Sequence, residues 1–180
     1  MKKGTVVFLL VVGGFIFLVV KGQQSIDEKN KIITTSNDPP EIITAIIDKT
    51  NAKPVTSITN QKMTITIDDV SSLGANNKDE IWEFNYDCEK IIPLIFAKFD
   101  YVDRIDMIGK AVLVDIRGNK TTDVVLRVSF TRANSAKIQW NNIKVENINL
   151  LADEYYVHPV MHARVARAPS AASRDRKSVV

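Results

Sequence analysis

The chain has 180 residues and a mass of 20.2 kDa, with 24 Lys and Arg against 21 Asp and Glu and a formal net charge of +3. Apolar residues at 45% and charged residues at 25% are ordinary globular proportions, which exclude bulk disorder, collagen and multi-pass membrane classes. A single Cys excludes an internal disulfide and a cysteine-rich zinc site.

The charge is unevenly placed. Lys2, Lys3 and Lys21 flank an apolar N-terminal run, and the last twenty residues carry five bases and one acid, so the body from Gly22 to Val160 holds about −4. A nucleic-acid footprint needs Lys and Arg clustered on a folded surface, and no nucleic-acid partner is expected.

Thr5 to Val20 is apolar throughout, with Gly13 and Gly14 as its weak points. At ~1.5 Å per residue it is slightly short for a ~30 Å hydrocarbon core, but Gly4 and Gly22 extend it and Lys21 can snorkel. A cleaved signal ends in a small-x-small site, whereas this run ends Val19-Val20-Lys21-Gly22. Residues 1–22 are therefore predicted to be a single-pass membrane anchor or uncleaved signal, with secretion after cleavage as the alternative. Lys2, Lys3 and the terminal amine place the N-terminus in the cytoplasm and the body outside.

Residues 23–37 are polar and read as a linker or stalk, and residues 38–160 as one domain. Asp38-Pro39-Pro40-Glu41 predicts a helix start: Asp38 caps, Pro39 takes the first helical position and Glu41 completes a capping box. Ile42, Ile43, Ile46 and Ile47 then form one apolar stripe, and Pro54 ends the element. Met63 to Asp68 alternates strictly and predicts a half-buried strand.

From Lys78 to Phe99 the spacing of Ile81, Phe84, Cys88, Ile91, Ile95 and Phe99 predicts the longest amphipathic helix. Asp79, Glu80 and Glu83 suit its N-terminal dipole. Pro93 removes one hydrogen bond at a cost near ~3 kcal/mol, which predicts a kink or two shorter helices.

Arg104 to Ile116 and Thr121 to Thr131 are β-rich runs around Arg117-Gly118-Asn119-Lys120 and predict a hairpin. A two-residue Gly118-Asn119 turn sets Leu113, Ala111, Gly109 and Met107 opposite Val124, Leu126, Val128 and Phe130 on one face. Small Gly109 and Ala111 leave room there for the long helix. The same register opposes Lys110 to Arg127, a destabilising pair; a four-residue loop would shift the pairing by two and separate them. Ala133 to Val145 reads as a final helix and Tyr155-Tyr156-Val157 as a short edge strand.

Composition changes abruptly at His162, where Ala, Arg, Pro and Ser replace Lys, Asn and Ile. Residues 161–180 are predicted to be a disordered basic tail foreign to the native chain; the alternative is a basic peptide for an acidic partner.

The fold expected is α+β: an N-terminal transmembrane helix, then a small two-layer domain in the order α-β-α-β-β-α with a mainly antiparallel sheet. Candidate chemistry is sparse. His158 and His162 stand four apart, but Pro159 disfavours helix between them, so no metal is expected. Cys88 on the apolar stripe reads as a structural thiol. Asp68, Asp69, Asp100, Asp103 and Asp106 lack the Gly and terminal Glu of a calcium loop and read as solvated loop charges. Asn119-Lys120-Thr121 is a chance glycosylation triplet. Neither a catalytic set nor a cofactor is expected.

The candidate binding surface is the hairpin's second face, Ile108, Val112, Val114 and Val125, rimmed by Lys110 and Arg127. It is too apolar to lie in water unaided, so either the Ile42–Ile47 helix or a partner covers it. The expected function is a non-enzymatic binding or assembly module of the cell envelope, bound to the membrane by its N-terminal helix and to an envelope protein by this face. The alternatives are a carrier of small ligands or lipids in the space between long helix and sheet, and a hydrolase using Asp103, Asp106 or Asp68.

Overall fold

The structure, a computed structural model, describes residues 26–47, 54–70 and 77–161. The predicted anchor and residues 162–180 of the predicted tail lie outside these. Among the described residues no helix is long and apolar enough to cross a membrane. The chain divides into two units, at Ile46 and Ile47.

The first unit holds two helices among its described residues. Residues 26–35, inside the predicted stalk, form helix α1. The Thr34 and Thr35 hydroxyls donate back to the Asn30 and Lys31 carbonyls at 2.9 and 2.8 Å, so polar side chains satisfy groups of their own helix. Helix α2 is Pro39–Ile46, with Pro39 first as predicted. Its cap differs in detail. Ser36 Oγ accepts from the Asp38 N–H at 3.0 Å and donates to Glu41 Oε2 at 2.5 Å, so Ser36 completes the box assigned to Asp38.

The second unit is α+β, built on a five-stranded mixed sheet. Its elements are β1 (Pro54–Thr59), β2 (Lys62–Ile67), α3 (Asn77–Lys98), β3 (Arg104–Val114), β4 (Lys120–Thr131), α4 (Arg132–Ser135), α5 (Ile148–Leu151) and β5 (Glu154–Val157). The strands lie in chain order, antiparallel except for the β2–β3 pair. β1 is absent from the sequence reading, where Pro54 marked a stop. Pro54 instead opens the strand, at the sheet's edge where its missing N–H costs nothing. Asn60 and Gln61, at φ 50° and 62°, make the two-residue turn into β2 that suits tight hairpins.

One face of the sheet is core. Met63, Ile65, Ile67, Ile105, Met107, Leu126, Val128 and Phe130 are buried there, each contributing about 1.5–3 kcal/mol. Helix α3 lies on it, with Phe84, Cys88, Ile91 and Ile95 buried. The approach is close at Gly109: a Cβ there would sit 2.6 Å from Val70 Cγ1 and 3.2 Å from Phe84 Cε2. The helix thus presses where the small residue predicted it. Of the two expected outcomes, two shorter helices do not form: α3 runs through Pro93 as one helix. Ile91, Ile92, Ile95 and Phe96, on both sides of Pro93, are buried, and together they outweigh one lost hydrogen bond.

The hairpin departs from the two-residue turn. Gly109 pairs with Leu126, Met107 with Val128 and Ile105 with Phe130, the register of the longer loop. Toward the tip Lys110 pairs with Val124, so Val125 is an extra residue, a bulge on β4. Arg127 faces Ile108, and the like-charge pair is avoided. Asp115 organises the turn: its Oδ1 accepts from the Arg117 and Asn119 N–H groups at 2.8 and 2.9 Å, and Gly118 sits at φ 85°.

The predicted helix from Ala133 to Val145 is overturned. Only α4 forms, capped by Thr131, followed by 3₁₀ turns at Trp140–Asn142 and Val145–Asn147. Asn141, Asn142 and Asn147 compete with helix through their side-chain amides, and the Trp140 indole folds back to donate to Ser135 O at 3.2 Å. β5 is the predicted edge strand. Met161 is 3% exposed, so the domain runs through the first residue assigned to the tail.

Arg132 ties the end of α3 to the sheet. Its guanidinium donates to Phe96 O at 2.6 Å, Phe99 O at 2.5 Å and Val102 O at 2.7 Å, and lies over the Phe96 ring. A cation on the last carbonyls of a helix also complements its dipole. Arg132→Met is expected to lower the unfolding free energy of the full chain by about 2–3 kcal/mol. Arg132→Lys is expected to recover under half of that, because an ammonium cannot span the three carbonyls. Urea midpoints of the three proteins check this.

Candidate functional site

The outer face of the sheet carries an ionic strip and the predicted contact residues of β3. Alternation along β3 turns Asp106, Ile108, Lys110, Val112 and Val114 outward, opposite the core residues. The six predicted contact residues do not form one surface. Val112 and Val114 are 54% and 58% exposed, whereas Val125 is fully buried. The bulge explains the difference, since the extra residue leaves the outward row. Ile108 is half-buried and Arg127 exposed. Lys110 Nζ lies 3.4 Å from Asp68 Oδ1.

Val112 and Val114 stand on a projecting arm. β2 pairs with β3 only as far as Gly109, and β5 with β4 only between Leu126 and Ser129. Beyond those points residues 110–114 and 120–124 pair only with each other among the described residues. Ile116, in the turn, is fully exposed. Arg127 belongs to a different place. It faces Tyr156 of β5 in register and lines an open groove of ≈ 370 Å³ with Asp123, Val124, Glu154, Tyr155 and Tyr156. The sequence reading missed this groove. Its signal was the alternation of Glu154 and Tyr156 on the edge strand, which sets both on the Arg127 side.

Nearer the base, an ionic strip crosses three strands and ends on a fourth. Lys62 Nζ is 2.6 Å from Asp106 Oδ2, Arg104 Nε is 2.7 Å from Asp106 Oδ1, and Arg104 Nη2 is 2.8 Å from Glu154 Oε1. The Asp106 side chain is 8% exposed. Burial pushes its carboxyl up, but hydrogen bonds from Lys62 and Arg104 outweigh that and hold it below the usual range. The Arg104 guanidinium is raised, by Glu154 first and Asp106 second.

The carboxylates weighed as a catalytic set are occupied separately. Asp106 lies in the strip, Asp68 meets Lys110, and Asp103 Oδ1 is 3.9 Å from Arg132 Nε. His158 Nδ1 accepts from the Val160 N–H at 3.1 Å, while His162 is outside the described residues. Among the described residues no three metal-ligating side chains cluster. Cys88 is fully buried, and burial pushes its thiol well up, so it stays protonated. Asn119 Nδ2 donates to Asp115 Oδ2 at 2.8 Å, so the triplet's amide serves the turn. On the inner face of the sheet, where a carrier would need space, Gly109 has no room for a methyl between Val70, Leu126 and Phe84 of α3.

No protein-family model matches the chain, and comparison with curated proteins and with solved structures likewise returned no match.

The strip has a defined pH signature. The folded Asp106 carboxyl titrates below its unfolded value, so its charged form stabilises above the ordinary carboxylate pKa, and this stabilisation is lost as the pH falls through the folded value. Asp106→Asn is therefore expected to cost about 1–3 kcal/mol at pH 7 and progressively less below about pH 4. Urea unfolding of both proteins at a series of pH values checks it; a pH-independent difference would contradict the assignment.

Proposed function

We propose that the protein is a non-enzymatic binding module of the cell envelope, held at the membrane by residues 1–22 and presenting its domain on the outer side. The observation that carries this reading is the arm: Val112 and Val114, each more than half exposed, lie on a two-stranded extension that runs past the pairing of β2 and β5. Exposed aliphatic side chains with cations nearby suit a protein partner, and Lys110 and Lys120 lie at the same height of the arm's two strands as these valines or next to it. Tethering supplies the mechanism, because confinement to the membrane raises the effective concentration of the arm for neighbouring proteins. The separate pairing of Asp68, Asp103 and Asp106 favours binding over hydrolysis, and the filled space at Gly109 disfavours a carrier.

The test is crosslinked pull-down of the full chain from its native membranes, wild type against Val112→Asp. An exposed position tolerates the change within about 0.5 kcal/mol, so the variant is expected to keep its circular dichroism and unfolding midpoint. Recovery of the partner is expected to fall at least about ten-fold, since a carboxylate buried at an interface costs more than the ~1.4 kcal/mol that this represents. Equal recovery by a folded variant would remove the arm from the reading.

A further inference from the structure

The backbone of β3 alternates as its side chains do. Asp103 C=O accepts from Arg132 N–H, and Asp115 N–H donates to Asn119 C=O, so odd-numbered residues direct their backbone groups toward β4. β2 pairs along the other edge of β3, so by alternation even-numbered residues of the strand direct theirs to the β2 side; Asp103, just ahead of the strand, sends its N–H to Gln61 C=O as Arg104 does. β2 uses that side only as far as the Ile67–Gly109 pair. Past it, the N–H and C=O groups of Lys110, Val112 and Val114 point to an edge with no strand beside it among the described residues.

Proteins blunt such edges with charge, proline or a bulge. The β4 edge of the arm has these devices: the bulge at Val125, with Asp123 and Lys120 beyond it. The β3 edge, Lys110-Ala111-Val112-Leu113-Val114, has Lys110 alone, and its ammonium is turned to Asp68. Four apolar residues follow it without interruption.

We propose that this edge pairs with the same edge of a second copy of the chain, antiparallel, about a two-fold axis at Val112. In that register Val112 opposes Val112 of the second copy, Lys110 opposes Val114, and small Ala111 opposes larger Leu113. Every edge-directed N–H and C=O from Lys110 to Val114 gains a partner, and each copy offers the other an identical surface, as a closed two-fold contact requires. Other registers fail on the same grounds. An axis at Lys110 sets two lysines against each other and overlaps β2. An axis at Val114 drives the Asp115–Gly118 turn into the second copy and leaves Lys110 unpaired. An axis at Ala111 sets Val114 against Ile108, which β2 already holds, an axis at Leu113 sets Lys110 against Ile116 in the turn, and an axis between residues sets edge-directed groups against residues whose groups point away. Five residues a side bury less than the ~1,200 Å² of a stable interface, so the pairing is weak in dilute solution and depends on local concentration at a membrane. It uses the edge of β3 and not its face, so it stands or falls independently of the envelope partner.

Disulfide trapping in the full chain tests it. Directly opposed residues in a hydrogen-bonded antiparallel pair have Cα atoms about 5.5 Å apart, inside the disulfide range of about 4.4–6.8 Å. Native Cys88 is buried and gives the background. Val112→Cys in its own membranes, under mild oxidation with copper phenanthroline, is expected to yield covalent dimer at least about ten-fold above wild type. Thr122→Cys, exposed on the opposite strand of the arm, is expected to stay near background. Adding Val114→Lys to Val112→Cys opposes like charges at both ends of the seam and is expected to lower dimer yield about three-fold or more. Dimer from Val112→Cys no greater than from Thr122→Cys, or unchanged by Val114→Lys, would overturn the proposal.

Discussion

The Arg132 guanidinium is the junction on which this fold depends. The last turn of α3 leaves carbonyls without intrahelical partners, and Phe96, Phe99 and Val102 direct theirs to one cation at the start of α4, directly after β4. The same corner holds the start of the other strands. Arg132 N–H donates to Asp103 O, and Asp103 and Arg104 N–H groups both donate to Gln61 O in the β1–β2 turn. The end of the helix, the turn of the first hairpin and the base of the second are thereby fixed together. Planarity and an invariant charge make Arg suited to this, and no other residue type presents so many donors from one side chain.

From that corner outward the sheet becomes progressively less supported. At the base, Lys62, Asp106, Arg104 and Glu154 link β2, β3 and β5 across the outer face. At mid-height Gly109 admits Phe84 and Val70 on the inner face. One residue further, the bulge at Val125 intervenes, both neighbouring strands have ended, and β3 and β4 continue alone. The bulge divides a part of the hairpin governed by core packing from a part governed by its own turn. Asp115 holds that turn by consuming backbone donors that would otherwise be left open.

Much of the core was legible because it obeys simple periods. The alternation of Met63, Ile65 and Ile67, the 3–4 spacing around Phe84, Cys88 and Ile91, and the small Gly109 each require the partner they have. The errors arise where local chemistry competes with period. Pro54 reads as a terminator until its edge position is known. Ala133 to Val145 has helical spacing, but its Asn residues and the Trp140–Ser135 bond draw the backbone elsewhere. The bulge has no signature in composition, and it alone removes Val125 from the predicted face. The Arg127–Tyr156 groove needs β5 to be placed beside β4, which no local pattern encodes. The ionic strip joins residues as far apart as Lys62 and Glu154, so its pairing is written in topology alone.

The sheet's strand pairings differ in how far the chain must travel to make them. Each antiparallel hairpin joins strands through a short turn, Asn60-Gln61 in one and Asp115–Asn119 in the other, and closes over short loops that cost little entropy. The parallel pair is different: Lys62 meets Arg104 across an intervening segment that holds the whole of α3. The two hairpins are therefore local units, while the β2–β3 seam carries a longer loop closure and the greater entropic cost. Parting that seam would separate two locally intact ribbons and leave their own ladders of hydrogen bonds in place.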